Sequence, residues 1–468
     1  MQNKERKSFF NKRITFSTIT FICSLTSIGT LAYYSILKDY FHLSPSQINL
    51  YNSIISFSYL LNPLYGLISD NLLICGSRRE SYLIIFGFVS SLIYATISCF
   101  YTSFLLVLTL QILITFSSGI INSVCQGFLV EDSNFSTYTE SDSEKINLNQ
   151  HSTNNIGNSQ KKMEDQRDRR ANDNVSLYYF LDFIGIMFIS FLSGFLTQNL
   201  GFSKVFLLCS LFPFIISIIG FIIYNKGANY KKKLAETFKS RIRRACRYIS
   251  NKEIFLALIF IFIISLQPST YDALMYFYIN DLEFDYEFIG LTQVFGSIGC
   301  LLGITLFNRL CKNINVKKVI LYAIIAEIIV NLLQLIQIFK IDYTIFNMNP
   351  KIFAIIFQTL SSLIQEMQTM PILVFICILC PINSEAFIYE IGCSMRNLAF
   401  SLSYRSGGYL IEIFEISSHN FNNLWVLWTI SSLFPILLIP SLFCLKLKDS
   451  YKDEIKNLLN LKHENIER

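Results

Sequence analysis

The chain is 468 residues long, 52% hydrophobic and only 15% charged, with a mean hydropathy of +0.44. Soluble domains carry about one-quarter charged residues, so a protein built of ordinary globular domains is excluded. The formal net charge of +6 follows from how basic residues are shared among loops, and no basic patch on a soluble face points to nucleic acid.

A bilayer's hydrocarbon core of about 30 Å takes roughly 20 apolar residues in a helix. Twelve stretches of that kind fall near 14–36, 47–69, 81–101, 104–130, 177–198, 203–224, 254–279, 287–308, 317–339, 351–380, 384–413 and 423–445. They predict an all-α membrane protein with twelve transmembrane helices. Lys4, Arg6, Lys7, Lys12 and Arg13 precede the first stretch. That stretch is long and lacks a small-residue cleavage site, so it reads as a membrane helix rather than a signal peptide.

Two loops stand out. Residues 131–176 are dense in Ser, Asn, Asp, Glu and Gln and nearly free of apolar side chains until Val175. Such a segment buries too little surface to offset its ordering entropy and is predicted to be a disordered insert. Residues 225–253 carry Lys231, Lys232, Lys233, Lys239, Arg241, Arg243, Arg244 and Arg247, with Leu234, Phe238, Ile242, Cys246 and Ile249 at helical spacing. This reads as a basic amphipathic helix on the membrane surface. The linker divides the chain into bundles at 14–224 and 254–445, six helices each, followed by a tail at 446–468.

The basic residues set the orientation. With the N-terminus in the cytosol, the outer loops hold Lys38, Lys204, Lys340 and Lys351; Arg396 and Arg405 lie in the eleventh stretch; the other basic residues fall on the cytosolic side. That is the positive-inside pattern, and it puts both termini in the cytosol, with the plasma membrane the expected location.

No metal or cofactor site is assembled. His42, His151, His419 and His463 are scattered through loops and tail, and the Cys377/Cys380 pair has no second pair beside it, so packed thiols are the better reading. No nucleotide-binding loop occurs.

Four stretches carry a resemblance. After the second helix comes Asn62-Pro63-Leu64-Tyr65-Gly66-Leu67-Ile68-Ser69-Asp70, then Gly76-Ser77-Arg78-Arg79-Glu80-Ser81-Tyr82. The first helix ends in Tyr34-Ser35-Ile36-Leu37-Lys38-Asp39, then Leu43-Ser44-Pro45. The seventh reads Gln267-Pro268-Ser269-Thr270-Tyr271-Asp272-Ala273-Leu274-Met275-Tyr276-Phe277-Tyr278, followed by Asn280-Asp281-Leu282 and Phe288-Ile289-Gly290. The tenth and eleventh contain Met370-Pro371, Cys380-Pro381, Glu385-Ala386 and Ser394 with Asn397-Leu398. In this order and spacing they resemble the folate-biopterin transporter family of the major facilitator superfamily. The resemblance implies two six-helix bundles with substrate between them near the midplane, and a function in moving folate, pterin or a related organic anion by alternating access with proton symport. The alternatives are cargo of another metabolite, or a non-transporting membrane sensor.

The resemblance also implies residue roles. Asp70, Arg78 and Arg79 are gating candidates at the cytosolic mouth, the arginines otherwise serving as topology anchors. Where the family's fourth helix commonly has two aspartates, this chain has Asn122 and Gln126, ahead of a retained Glu131. A charge at membrane depth costs about 2.5–3.5 kcal/mol on insertion scales, so it faces a cavity or a partner. Asp272 follows Pro268, which can break the helix at a binding site. The expected substrate-binding set is therefore Asn122, Gln126, Gln267, Ser269, Asp272, Gln365, Gln368 and Arg396, with Asp272 and Glu131 as proton-coupling acids. Arg396 is included on chemistry and not on the resemblance, whose motif has a small or apolar residue there, because guanidinium binds carboxylate bidentately; ion pairing with Glu390, or of Arg405 with Glu412, competes with that use. Interhelical hydrogen bonding is the alternative for the other polar groups.

Overall fold

The computed structural model describes residues 14, 17–72, 74, 75, 77, 79–147, 154–224, 243, 250, 252–311, 316–379 and 385–440. Within these, side chains at 70–71, 130–172, 252–254, 257, 310–317, 375–388 and 438 are outside the description. Among the described residues everything regular is helical, apart from an isolated bridge between Ile74 and Ser77.

The first half runs as follows. Helix α1, Ser17–Tyr40, contains a 3₁₀ turn at Leu25–Ile28 and ends in a π turn at Ile36–Tyr40. Helix α2 comprises Pro45–Ser58, a turn at Tyr59–Leu61, and Asn62–Asn71. Its start is written in the sequence. Ser44 caps the Gln47 amide, the Gln47 side chain caps Ser44 in return, and Pro45 takes the first helical position, where its missing N–H costs nothing. Helix α3 is Glu80–Cys99 and α4 is Phe104–Asn147. A continuous run over Asn154–Ile223 parts at Gly201, whose φ of +74° is non-helical, into α5 and α6.

In the second half, α7 comprises Lys252–Ile264, a non-helical break, Tyr271–Tyr276 and a π turn at Phe277–Asp281. Helix α8 is Tyr286–Leu306, extended by a π turn at Phe307–Cys311. Then come α9, Val316–Ile338; α10, Pro350–Leu379; α11, Glu385–Ile413; and α12, Leu424–Leu433 with a 3₁₀ turn at Phe434–Leu438. Among the described residues, six apolar helical runs are long enough to cross a bilayer. Phe221 and Ile222 stay 72% and 74% exposed, a surface suited to lipid rather than water.

The turn from α1 to α2 recurs from α7 to α8. In the first, a π turn is followed by His42 at φ +52°, and Phe41 N and Leu43 N donate back to Ile36 O and Leu37 O. In the second, a π turn is followed by Glu283 at φ +55°, and Leu282 N and Phe284 N donate to Phe277 O and Tyr278 O. Each ends on a side-chain cap, Ser44 for α2 and Asp285 for α8. The two halves therefore share one local design at this end of the molecule, called the upper end below.

The backbone of α4 continues to Asn147 and α5 begins at Asn154. The packed part of α5 starts earlier than expected. Asn174, Val175 and Ser176 are buried, and Asn174 Nδ2 donates to Leu129 O at 3.2 Å. Apart from Arg243, Ser250 and the first turn of α7, the linker 225–253 lies outside the described residues, as does the tail 446–468.

Candidate binding cavity and the seam between the halves

Helix α7 is interrupted at Leu266–Thr270, beside Pro268. A break at membrane depth survives only if neighbours take over the freed backbone groups, and serines do this here. Ser403 Oγ donates to Gln267 O, and Ser269 N donates to Ser403 O at 3.0 Å. Ser431 Oγ donates to Pro268 O at 2.7 Å, and Asn49 Nδ2 donates to Ser269 O at 3.3 Å. Helix α11 comes close enough because residue 407 is glycine: a Cβ there would stand 2.0 Å from Ser269 O.

The break opens a cavity of about 410 Å³, within the size range of small-molecule sites. Its lining comes from α7 to α12, all in the second half, and is rich in amides: Gln267, Gln293, Gln358, Gln365, Gln368 and Asn331. Phe357, Phe400, Tyr404 and Trp428 supply aromatic faces, and Glu327 and Arg396 supply charge. The sequence reading expects the cavity between the halves. This cavity lies inside the second half, and a separate space of about 250 Å³ between α5 and α8 is lined by Ser176, Leu177 and Phe180 of the first half and Ile304, Thr305, Asn308 and Arg309 of the second.

Of the expected binding residues, Gln267, Ser269, Gln365, Gln368 and Arg396 all line this cavity. Gln267 is partly committed, its Nε2 donating to Ser431 O at 3.0 Å. The Arg396 guanidinium lies 5.4 Å from the Phe400 ring centre, and its Nη1 is buried without a hydrogen-bond partner. Glu366 and Tyr179 are in electrostatic range of it. Arg405 is exposed on α11, and among the described residues no ion pair joins it to Glu412.

Asp272 is one turn beyond the break, fully buried, and faces the first half. Asn52 Nδ2 donates to its Oδ2 at 2.9 Å, while Oδ1 is buried without a partner. Asn122 and Gln126 do not join the cavity. Cys23 Sγ donates to Asn122 Oδ1 at 3.6 Å, and Gln126 borders a cleft of about 10 Å³ with Tyr178, Tyr179 and Tyr389. Helix α4 is turned toward α1 and α5, so these amides serve packing within the first half and at its edge. Glu131 and Asp70 are on helices but their side chains, like Arg78, lie outside the described residues. Arg79 is buried with its guanidinium 5.6 Å from the Phe128 ring centre, which pins the α2–α3 turn onto α4 in the same half.

The upper seam joins the halves through residues of the resembling motifs. Asp39 accepts from Ser35, from Lys38 at 3.1 Å, and from Tyr286 OH across the seam at 2.5 Å. Tyr276 OH donates to Leu43 O, and Lys38 Nζ lies 5.7 Å from the Tyr276 ring centre. Glu287 N donates to Gln198 Oε1 at 3.2 Å. Ser53 and Ser401 bond each other's backbone carbonyls between α2 and α11. Between α5 and α8 the helices nearly touch, since a Cβ on Gly290 would stand 2.6 Å from Ser190 O.

Sequence reasoning missed two polar groups here: Asn52, which bonds Asp272 across the seam, and Glu327, which lines the cavity. Glu327 is a lone acid in an apolar run, while Asn52 lies between Asn49 and Ser53 in a mixed one. Their shared signal is the cost of burying a polar or charged group in the membrane, which applies to both of them as it does to Asp272.

The fold is that of an all-α membrane transporter. Solved structures of the nucleoside transporter NupG superpose with TM-scores of 0.62 and 0.60, covering 93% and 92% of this chain and 99% and 98% of theirs, at 11% and 12% identity. The chain belongs to the BT1 family, the folate-biopterin transporters; the BT1 family model matches residues 25–142 and 159–463. It is 28% identical to Folate transporter 1 of Plasmodium falciparum over 467 residues, 99% of this chain and 84% of that protein. It is 23% identical to the Folate-biopterin transporter of Synechocystis over 425 residues, 91% of this chain and 80% of the relative.

Proposed function

We propose that this protein is a secondary transporter moving a folate, pterin or related organic anion by alternating access of two six-helix bundles, coupled to protons. It would reside in the plasma membrane with both termini cytosolic. The names of its relatives support the cargo class, and the recurrent α1–α2 and α7–α8 turns support paired halves. The observation that carries the mechanism is the position of Asp272. The break that opens the cavity and the acid that bonds Asn52 across the seam are consecutive on α7. A proton on Asp272 removes the charge that favours this contact, so protonation and seam opening are linked.

The test is uptake by reconstituted vesicles with and without an inward proton gradient. Asp272→Asn keeps shape and a hydrogen-bonding oxygen but cannot titrate. It is expected to abolish gradient-driven accumulation while retaining exchange of labelled for unlabelled substrate. A mutant that still concentrates substrate in response to the gradient removes Asp272 from the coupling role.

A further inference from the structure

Glu327 on α9 has no part in the seam, yet it brings a carboxylate to the cavity wall at membrane depth, where an acid faces a partner or a ligand. Its partner is Gln368, whose Nε2 donates to Oε2 at 2.6 Å. That bond fixes the plane of the carboxylate and leaves acceptor capacity on Oε1 and on the second lone pair of Oε2. On a different wall, α11 presents Arg396 with a buried Nη1 that no protein group satisfies. Aromatic faces of Phe357, Tyr404 and Trp428 share the same cavity. An unmet donor, an oriented acceptor and flat apolar faces in one enclosure describe a ligand with an anionic end and a planar, donor-bearing end.

We propose that the cavity reads its ligand at two ends: Arg396 takes a carboxylate, and Glu327, steadied by Gln368, accepts the adjacent N–H groups of a 2-aminopyrimidinone ring. Carboxylate matches such a donor pair as it matches the fork of a guanidinium, through two parallel charge-assisted hydrogen bonds. Recognition of both ends explains how one site separates whole folate-like molecules from their fragments. The assignment rests on the transport reading above and adds the orientation of the cargo within it.

The experiment is equilibrium binding of three labelled probes to the purified full chain in lipid nanodiscs: biopterin, which has the ring alone; p-aminobenzoylglutamate, which has the carboxylate tail alone; and folic acid, which has both. Glu327→Gln preserves size and a bond to Gln368 but loses the charged acceptor pair. It should weaken biopterin and folic acid by about tenfold or more, the loss of one charge-assisted hydrogen bond, and leave p-aminobenzoylglutamate within about twofold. Arg396→Gln should weaken the tail probe and folic acid and spare biopterin. Equal losses for all three probes in either variant, or no loss of biopterin in E327Q, overturn the two-ended assignment while wild-type binding upholds the transport reading. Wild-type protein that binds none of the probes overturns that reading and the assignment with it. If E327Q does not fold by gel filtration, Gln368→Ala gives the same discrimination: a loss confined to ring-bearing probes supports the assignment, and a loss shared with the tail probe overturns it.

Discussion

Gly194 on α5 offers a direct way to disturb the seam. A Cβ built there would stand 2.3 Å from Tyr286 O and 3.0 Å from Glu287 Cα. Both obstructing atoms are backbone, so no rotamer change relieves the clash. Reaching ordinary van der Waals separation requires the α5–α8 contact to open by roughly 1 Å. Overpacking of that kind costs about 1–3 kcal/mol, charged almost entirely to the state in which the seam is closed. Gly194→Ala should therefore shift the closed-to-open ratio by roughly 5- to 150-fold. Cysteines placed at Gln198 and Glu287, which touch across the seam, report the closed state through their rate of oxidative cross-linking in membranes, in a background lacking the exposed Cys75 and Cys99. G194A should slow cross-linking at least about fivefold. Gly201→Ala is the control. Nothing lies within 4 Å of its added Cβ, and its φ of +74° makes the change a matter of local strain, so the cross-linking rate should hold. An unchanged rate in G194A refutes the seam as a close-packed, movable contact.

Three further outcomes are expected. Deleting most of 135–172 should leave surface expression and uptake largely intact, because loop length costs little and the Asn174–Leu129 bond already joins the segment's ends; loss of all flux in a well-expressed deletion contradicts this. Epitope tags at the N-terminus, within 131–176, within 225–253 and at the C-terminus should all lie on the cytosolic side of the membrane that houses the protein, and a tag in 225–253 on the opposite side would break the six-plus-six topology. Tyr82→Phe should lower thermal stability by about 1–2 kcal/mol, since the Tyr82 hydroxyl is 3.2 Å from both Ile68 O and Leu72 O, carbonyls at the end of α2; an unchanged melting temperature removes that capping role.

Much of the fold was legible because membrane helices advertise themselves through length and apolarity alone, and because Ser44-Pro45 and Pro268 act on backbone geometry that no tertiary contact overrides. The repeated turn was not legible. Ile36–Tyr40 and Phe277–Asp281 adopt the same π turn from different side chains, since the requirement falls on hydrogen bonds between main-chain groups and on a residue tolerating positive φ, and His42 and Glu283 meet it without glycine.

At the candidate site, five expected residues share one cavity: Gln267 and Ser269 flank the helix break, Gln365 and Gln368 are amides within α10 ahead of Pro371, and Arg396 is a charge within α11. The α4 amides were chosen by resemblance, and resemblance gives no rotation of a helix about its own axis. Rotation is decided by packing: Asn122 turns to Cys23 on α1, and Gln126 to a cleft too small for more than about one water, beside Tyr178 and Tyr179 on α5. Asn52 and Glu327 were overlooked for the converse reason. Neither stands beside a helix break or in a motif, and the meaning of each appears only when α2 meets α7 and α9 meets α10, giving Asp272 a donor at 2.9 Å and Glu327 one at 2.6 Å. Two acids of similar intramembrane cost thus acquire different surroundings from their partners: the first is bound to the opposite half of the molecule, and the second stays with a helix of its own half and faces the cavity. A perturbation of Asp272 should accordingly change the seam and the flux together, whereas one at Glu327 should change which ligand is held while leaving seam cross-linking as it is.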